Sequence, residues 1–104
     1  MCVVYTVTMY QITLSEEETR SGIKTSIRES DQSRWERIDR IEFPSMSNAR
    51  FAFEGRRDLA TICRVNENEF DAEFFTLCEE QKTEAGIVTR VNVLDIAVPK
   101  KWKK

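Results

Sequence analysis

The sequence predicts an α+β protein, with a small antiparallel sheet of about five strands and two helices packed on one face. Alternation of apolar and polar residues indicates strands at both ends of the chain, in residues 2–14 and 87–98. A helix-type apolar stripe lies between them, in residues 70–81. With 40% hydrophobic residues among 104, the chain is too apolar for disorder and long enough for one core. We therefore expect one domain, residues 1–98, followed by a basic C-terminal tail, residues 99–104.

The predicted element order is ββαββαβ, and an alternative exists near its start. Residues 2–14 are rich in Val, Thr and Tyr, which favours a strand half buried on a sheet. In residues 23–28, Ile23, Thr25 and Ile27 alternate with more polar residues, which predicts a second strand paired to the first. The alternative is a helix over residues 16–28, because Ser15 and Glu18 have capping-box spacing. The order is then βαββαβ, a ferredoxin-like arrangement.

The middle of the chain predicts a helix followed by a hairpin. The helix covers residues 33–42, where apolar side chains recur at three-residue steps. Pro44 ends it, because a proline disfavours the helical conformation of the residue before it. Residues 49–54, with phenylalanines at alternate positions, and residues 59–65 predict two strands joined by a turn.

A second helix is predicted over residues 70–81, with Asn68 as its N-cap and Gly86 as its end. Its apolar side chains have the spacing of a stripe that faces a core, and acidic side chains occupy the other side. The alternative is a strand over residues 74–78, because short apolar runs fit both structures.

Few residues are candidates for catalysis or metal binding. The chain has no histidine, which excludes Ser-His and Cys-His nucleophile pairs. Cys2, Cys63 and Cys78 lie far apart in apolar segments, which argues against zinc and disulfides and favours core packing in a reducing, cytoplasmic environment. Three scattered glycines form no phosphate-binding loop. We therefore expect a non-enzymatic protein without cofactor or metal. A carboxylate-dependent enzyme is the weakest of three hypotheses, and the other two follow from the distribution of charge.

Acidic and basic residues are segregated along the chain. Residues 66–85 carry seven acids and one lysine, a charge of −6, whereas the tail carries +4. On the predicted helix these acids form an outer face that fits a basic surface of another protein. Our first hypothesis is therefore an intracellular binding or regulatory module of the inhibitor type that acts by protein contact. The residues of its acidic docking face are Asp71, Glu73, Glu79, Glu80 and Glu84.

The alternative hypothesis is a nucleic-acid-binding protein. Trp102 lies between two lysine pairs, and a stacking ring among cations suits unpaired bases and phosphates. The predicted nucleic-acid-binding residues are Arg56, Arg57, Lys100, Lys101, Trp102, Lys103 and Lys104. No apolar run approaches the roughly 20 residues that span a bilayer, so we expect no membrane contact. The oligomeric state stays open.

Overall fold

The structure is a computed structural model, and it describes residues 2–102. In these residues 51% of the chain is strand and 30% is helical, which confirms the α+β class. Two short 3₁₀ turns span Gln32–Arg34 and Arg57–Leu59. The helices and strands are β1 (Cys2–Ser15), α1 (Glu16–Ser21), α2 (Ile23–Glu29), β2 (Glu36–Phe43), α3 (Met46–Arg56), β3 (Thr61–Arg64), β4 (Glu69–Lys82), β5 (Val88–Ala97) and β6 (Lys101–Trp102).

The sheet is built around β4. β4 pairs antiparallel with β1 along its whole length, from Glu69 beside Ser15 to Lys82 beside Cys2. On its other edge β4 pairs antiparallel with β3 in its first half and with β5 in its second half. β2 flanks β1, and β6 joins β3 in parallel, so the curled sheet is mixed.

The helices cover opposite faces of the sheet, whereas the sequence predicted both on one face. Ile27 of α2 packs in a cluster with Phe74, and Phe53 of α3 packs in a second cluster with Phe75. Phe74 and Phe75 are successive residues of β4, and successive residues of a strand point to opposite faces. The two clusters therefore lie on opposite sides of the sheet. We call these sides the α2 face and the α3 face.

The strand predicted over residues 23–28 is wrong, because this segment is α2. Together with α1 it confirms the helical alternative, and Ser15 caps α1 as predicted. Gly22, at φ 124°, separates the two helices with a backbone angle that residues with a side chain disfavour. Ile23 and Ile27 lie one turn apart and anchor α2 on the core, so their spacing is that of a helical stripe.

The helix predicted over residues 33–42 and the strand predicted over residues 49–54 are both wrong. The first segment is largely β2, where a bulge at Ile38 breaks the alternation and produces the misleading three-residue spacing. The second segment lies in α3. Phe53 is fully buried there while Phe51 is 85% exposed, so the two phenylalanines lie on different sides of a helix and not on one side of a strand.

The helix predicted over residues 70–81 is also wrong, and the strand alternative is confirmed over a longer span as β4. Both faces of β4 are covered, so that Phe74, Phe75 and Leu77 all lie in cores. A strand buried on both faces shows no alternation. Gly86, predicted to end the helix, instead forms the turn into β5 at φ 81°.

Three predicted strands are confirmed: β1, β3 and β5 lie where residues 2–14, 59–65 and 87–98 predicted them. Their partners differ from the predicted hairpins, because β1 pairs with β2 and β4, and β3 pairs with β4 and β6. The order along the chain is βααβαββββ, so neither ββαββαβ nor the ferredoxin-like βαββαβ describes it.

Candidate functional site

Two adjoining cavities lie beside β5, and we call them together the basic groove. Ile96 lines both cavities, so the groove follows the strand. The larger one, the tryptophan cavity, has a volume of about 320 Å³ and is lined by Arg28, Gln32, Trp35, Val93, Leu94, Asp95 and Ile96. The smaller one, the lysine cavity, has a volume of about 140 Å³ and is lined by Lys24, Arg57, Ile96, Ala97, Val98 and Lys100.

α2 supplies two of the cations of the groove, Lys24 and Arg28. The helix is fixed on the α2 face by Ile27, which is fully buried, and by Ile23, which packs on the same core. Lys24 and Arg28 each follow one of these anchors, and residues at this spacing lie roughly 5–6 Å apart on a helix. Within residues 2–102 neither cation forms an ion pair.

Trp35 forms the aromatic wall of the tryptophan cavity. Its Nε1 donates a hydrogen bond to Ser30 Oγ at 2.8 Å. Its ring packs against Tyr10 and Phe74 with centroid distances of 5.3 and 5.1 Å. The half-buried indole is therefore held in place by the protein itself.

An ion pair fixes the turn that precedes Trp35. Arg34 donates hydrogen bonds to both carboxylate oxygens of Glu18, at 2.9 and 3.0 Å, and to the carbonyl of Thr13 at 2.8 Å. Hydrogen bonds from Arg34 and from the backbone N–H of Ser15 lower the pKa of Glu18 to about 2. The carboxylate is therefore charged at neutral pH and ties this turn to α1 and β1.

β5 forms the opposite wall of the groove. It pairs only with β4 among the described strands, so its outer edge is open. Leu94 is skipped in this pairing and forms a bulge. Asp95 is the one acidic residue among those that line the two cavities, and its Oδ2 lies 3.9 Å from Nη1 of Arg50. The groove therefore carries an excess of positive charge.

The lysine cavity receives cations from two further segments. Arg57 follows α3, and its hydrogen bond to Glu54, with an Nη1–Oε2 distance of 3.0 Å, raises the pKa of Arg57. Lys100 lies where the chain leaves β5 and crosses to β6, which pairs with β3. In the described part of the chain Lys100 forms no ion pair.

A second aromatic side chain lies two residues beyond Lys100. Trp102 is 57% exposed, and its indole meets the ring of Phe70 edge-on at a centroid distance of 5.3 Å. The guanidinium carbon of Arg64 lies 4.5 Å from the centroid of the same phenyl ring, a cation–π contact. β6 therefore presents an exposed indole that packs on Phe70, and Phe70 in turn contacts Arg64.

The structure brings together part of the set predicted to bind nucleic acid. Arg56 does not join the groove through its guanidinium, since Nη1 donates back to the carbonyl of Ala52 at 3.1 Å. Lys103 and Lys104 lie outside the described residues. The residues placed in the groove are Arg57 and Lys100, and those placed beyond it in β6 are Lys101 and Trp102.

The wall of the groove that α2 and the following turn form was not predicted from the sequence. Lys24 and Arg28, four residues apart, lie side by side only if residues 16–28 are helical. Because the sequence favoured a strand there, the two cations were not predicted to be neighbours. Trp35 lies in the segment 33–42, where the three-residue spacing of apolar side chains predicts a helix. The missed residues are Lys24, Arg28, Gln32 and Trp35.

The acidic residues predicted as a docking face do not share one surface. The predicted outer face of a helix does not exist, because these residues lie on both faces of β4 and in the turn that follows it. Protein contact through them stays a prediction. The α3 face holds Asp71, Glu73 and Glu79, which accept side-chain hydrogen bonds from Thr13, Thr61 and Asn92; the α2 face holds Glu80, and the turn holds Glu84.

Glu80 is buried in a polar network on the α2 face. Its Oε2 accepts a hydrogen bond from Thr6 Oγ1 at 2.5 Å, and its Oε1 lies 3.2 Å from Nη2 of Arg40. Arg40 also pairs with Glu42, which accepts a hydrogen bond from Lys82 Nζ at 2.7 Å. Every buried side-chain polar atom in the described chain has a partner, so these matched charges support the sheet.

All three cysteines are free. Cys2 is exposed, Cys63 is half-buried and Cys78 is buried. Burial raises the pKa of the Cys78 thiol, so it stays protonated at neutral pH and is a poor nucleophile.

Comparisons with protein-family models, with curated proteins and with solved structures find no match to this chain. Within residues 2–102, no group of three or more His, Cys, Asp or Glu side chains could hold a metal ion. In the same residues, no helix has both the length and the apolar character needed to cross a membrane.

Proposed function

We propose that this protein binds single-stranded nucleic acid along the basic groove. The observation that supports this function is the convergence of four cations from three separate segments of the chain. They are Lys24, Arg28, Arg57 and Lys100. Like charges held together repel one another. A phosphate backbone neutralises that repulsion and also gains free energy by releasing its own counterions.

The aromatic side chains favour a single strand over a duplex. Trp35 lines one cavity, and Trp102 lies two residues beyond the lysine that lines the other. Unpaired bases stack on such rings with about 1–3 kcal/mol per base and little dependence on sequence, whereas the bases of a duplex already stack on one another. We therefore expect a preference for single strands with little preference for sequence.

Neutralising the cations of the groove tests this proposal. We expect Lys24→Gln, Arg28→Gln and Lys100→Gln each to weaken binding of a labelled single-stranded oligonucleotide, measured by fluorescence anisotropy. Each lost phosphate contact should also reduce the slope of log K against log salt concentration by about 0.7, because fewer counterions are released.

Arg37→Gln is the matched control, because it removes the same charge from β2, on the opposite side of β1 from β4. It should leave the affinity and the salt slope nearly unchanged. The proposal is wrong if the variant with all three groove substitutions binds as tightly as the unchanged protein. It is equally wrong if the unchanged protein does not bind single strands at low salt.

A further inference from the structure

The tryptophan cavity offers more space and more varied chemistry than a phosphate contact needs. Its volume is about 320 Å³, against about 140 Å³ for the lysine cavity. Val93, Leu94 and Ile96 give it apolar walls beside the indole. Arg28 adds hydrogen-bond donors, and Gln32 adds an amide that both donates and accepts. Apolar walls with polar groups suit a flat ring that has polar atoms along its edge.

The aromatic wall of this cavity is ordered before a ligand binds. Trp35 is held by Ser30 and by its contacts with Tyr10 and Phe74. A ring that stacks on it therefore loses no affinity to the ordering of that indole. The bulge at Leu94 also leaves backbone groups of β5 without a partner on β4, next to the cavity.

We propose that the tryptophan cavity holds one unpaired nucleobase of a strand whose phosphate lies in the lysine cavity; this inference rests on the proposed function. The lysine cavity is the smaller of the two and is lined by three cations, which suits a phosphate. Lys24 and Arg28, one helical turn apart on α2, connect the two cavities. The groove thus recognises a strand by one phosphate contact and one base contact side by side.

An oligonucleotide that lacks a single base distinguishes the base contact from the phosphate contact. The probe is a short labelled oligonucleotide, compared with a series in which one nucleotide at a time is abasic while every phosphate is kept. We expect the unchanged protein to bind abasic strands less tightly, by about tenfold at the position that occupies the cavity, because base–aromatic stacking is lost.

A matched pair of substitutions on β5 locates the base. Val93→Phe fills the tryptophan cavity without changing the charge, whereas Val88→Phe lies near the other end of the strand, outside the cavity. Both valines are 38% exposed, so both positions tolerate a larger side chain. We expect Val93→Phe to abolish the difference between intact and abasic strands, and Val88→Phe to leave it unchanged.

Lys24→Gln distinguishes failure of this inference from failure of the proposed function. This substitution should weaken the binding of intact and abasic strands by the same factor, because it removes only a phosphate contact. The base site is wrong if no abasic position weakens binding while Lys24→Gln still does. It is also wrong if Val93→Phe leaves the difference in affinity between intact and abasic strands unchanged. In both cases the proposed binding of a single strand along the groove is not contradicted. If no strand binds at all, both proposals are wrong.

Discussion

Arg40 neutralises the buried carboxylate of Glu80, and this contact predicts a large effect of one substitution. Arg40→Leu leaves Glu80 with Thr6 as its remaining side-chain partner. We expect the free energy of unfolding to fall by about 2–3 kcal/mol, because a buried charge loses its counterion. Urea unfolding measures the change. Arg37→Leu, at an exposed position of the same strand, should change stability by less than about 0.5 kcal/mol. Equal losses in the two variants would contradict this role of Arg40.

Glu18 gives the protein a pH-dependent contribution to stability. Its folded-state pKa lies at about 2, below the ordinary value of 4.5, because Arg34 and the Ser15 N–H stabilise the charged form. The contribution is therefore complete above about pH 4.5 and is lost as the pH falls towards 2. An NMR titration of the Glu18 carboxyl carbon should show this low midpoint. Arg34→Gln should raise it towards the ordinary value, and an unchanged midpoint would show that another group holds the carboxylate.

At the scale of the elements, α3 allows a direct test of helix against strand. Phe51 and Phe53 would share one side of the predicted strand, but in the helix Phe53 is fully buried and Phe51 is 85% exposed. We expect Phe53→Ala to lower the free energy of unfolding by about 3–5 kcal/mol. Phe51→Ala should change it by less than about 0.5 kcal/mol. Similar losses for both variants would mean that the two rings lie on one face.

The elements that the sequence predicted well are those with one dominant periodicity. β1 and β5 alternate clearly, and both are strands. β4 is covered on both faces, so its apolar residues fill both clusters and fit a helical stripe as well as a strand. In β2 the bulge at Ile38 shifts the alternation by one residue. Such tertiary features leave no local signal in the sequence.

The candidate site was less predictable than the fold class, because it depends on one uncertain element. Arg57, Lys100 and Trp102 were identified from their charge and aromatic character. Lys24 and Arg28 become neighbours only if their segment is a helix, and the sequence favoured a strand there. The packing of the two isoleucines of α2 on the sheet decides this choice, and it depends on residues far away along the chain.

At the scale of the whole molecule, two of the outer strands of the sheet, β2 and β5, differ in how they resist self-association. β2 carries five charged residues among eight, whereas β5 carries two among ten and exposes several valines. Charged edges discourage pairing between molecules, and apolar edges permit it. Of these two edges, we therefore expect β5 to be the one at which the protein aggregates.

Placing a charge on β5 tests this difference between the edges. We expect Val91→Lys to slow aggregation of the heated protein, followed by light scattering, because Val91 is 50% exposed on the open edge. Ile38→Lys is the control, since Ile38 on β2 has a similar exposure of 46%. The proposed weakness of β5 would be refuted if both lysines had the same effect.

The pairing of β1 with β4 also determines when the protein can fold during its synthesis. Cys2 lies beside Lys82 and Ser15 beside Glu69, so β1, which can pair earlier with β2, waits for β4 until residues 69–82 have left the ribosome. At roughly 5–20 residues per second, this wait lasts several seconds. Contacts between such distant residues also make folding slow. In the nascent chain the edge of β1 that pairs with β4 therefore stays available to chaperones until β4 appears, and β5 then follows β4 directly along the chain.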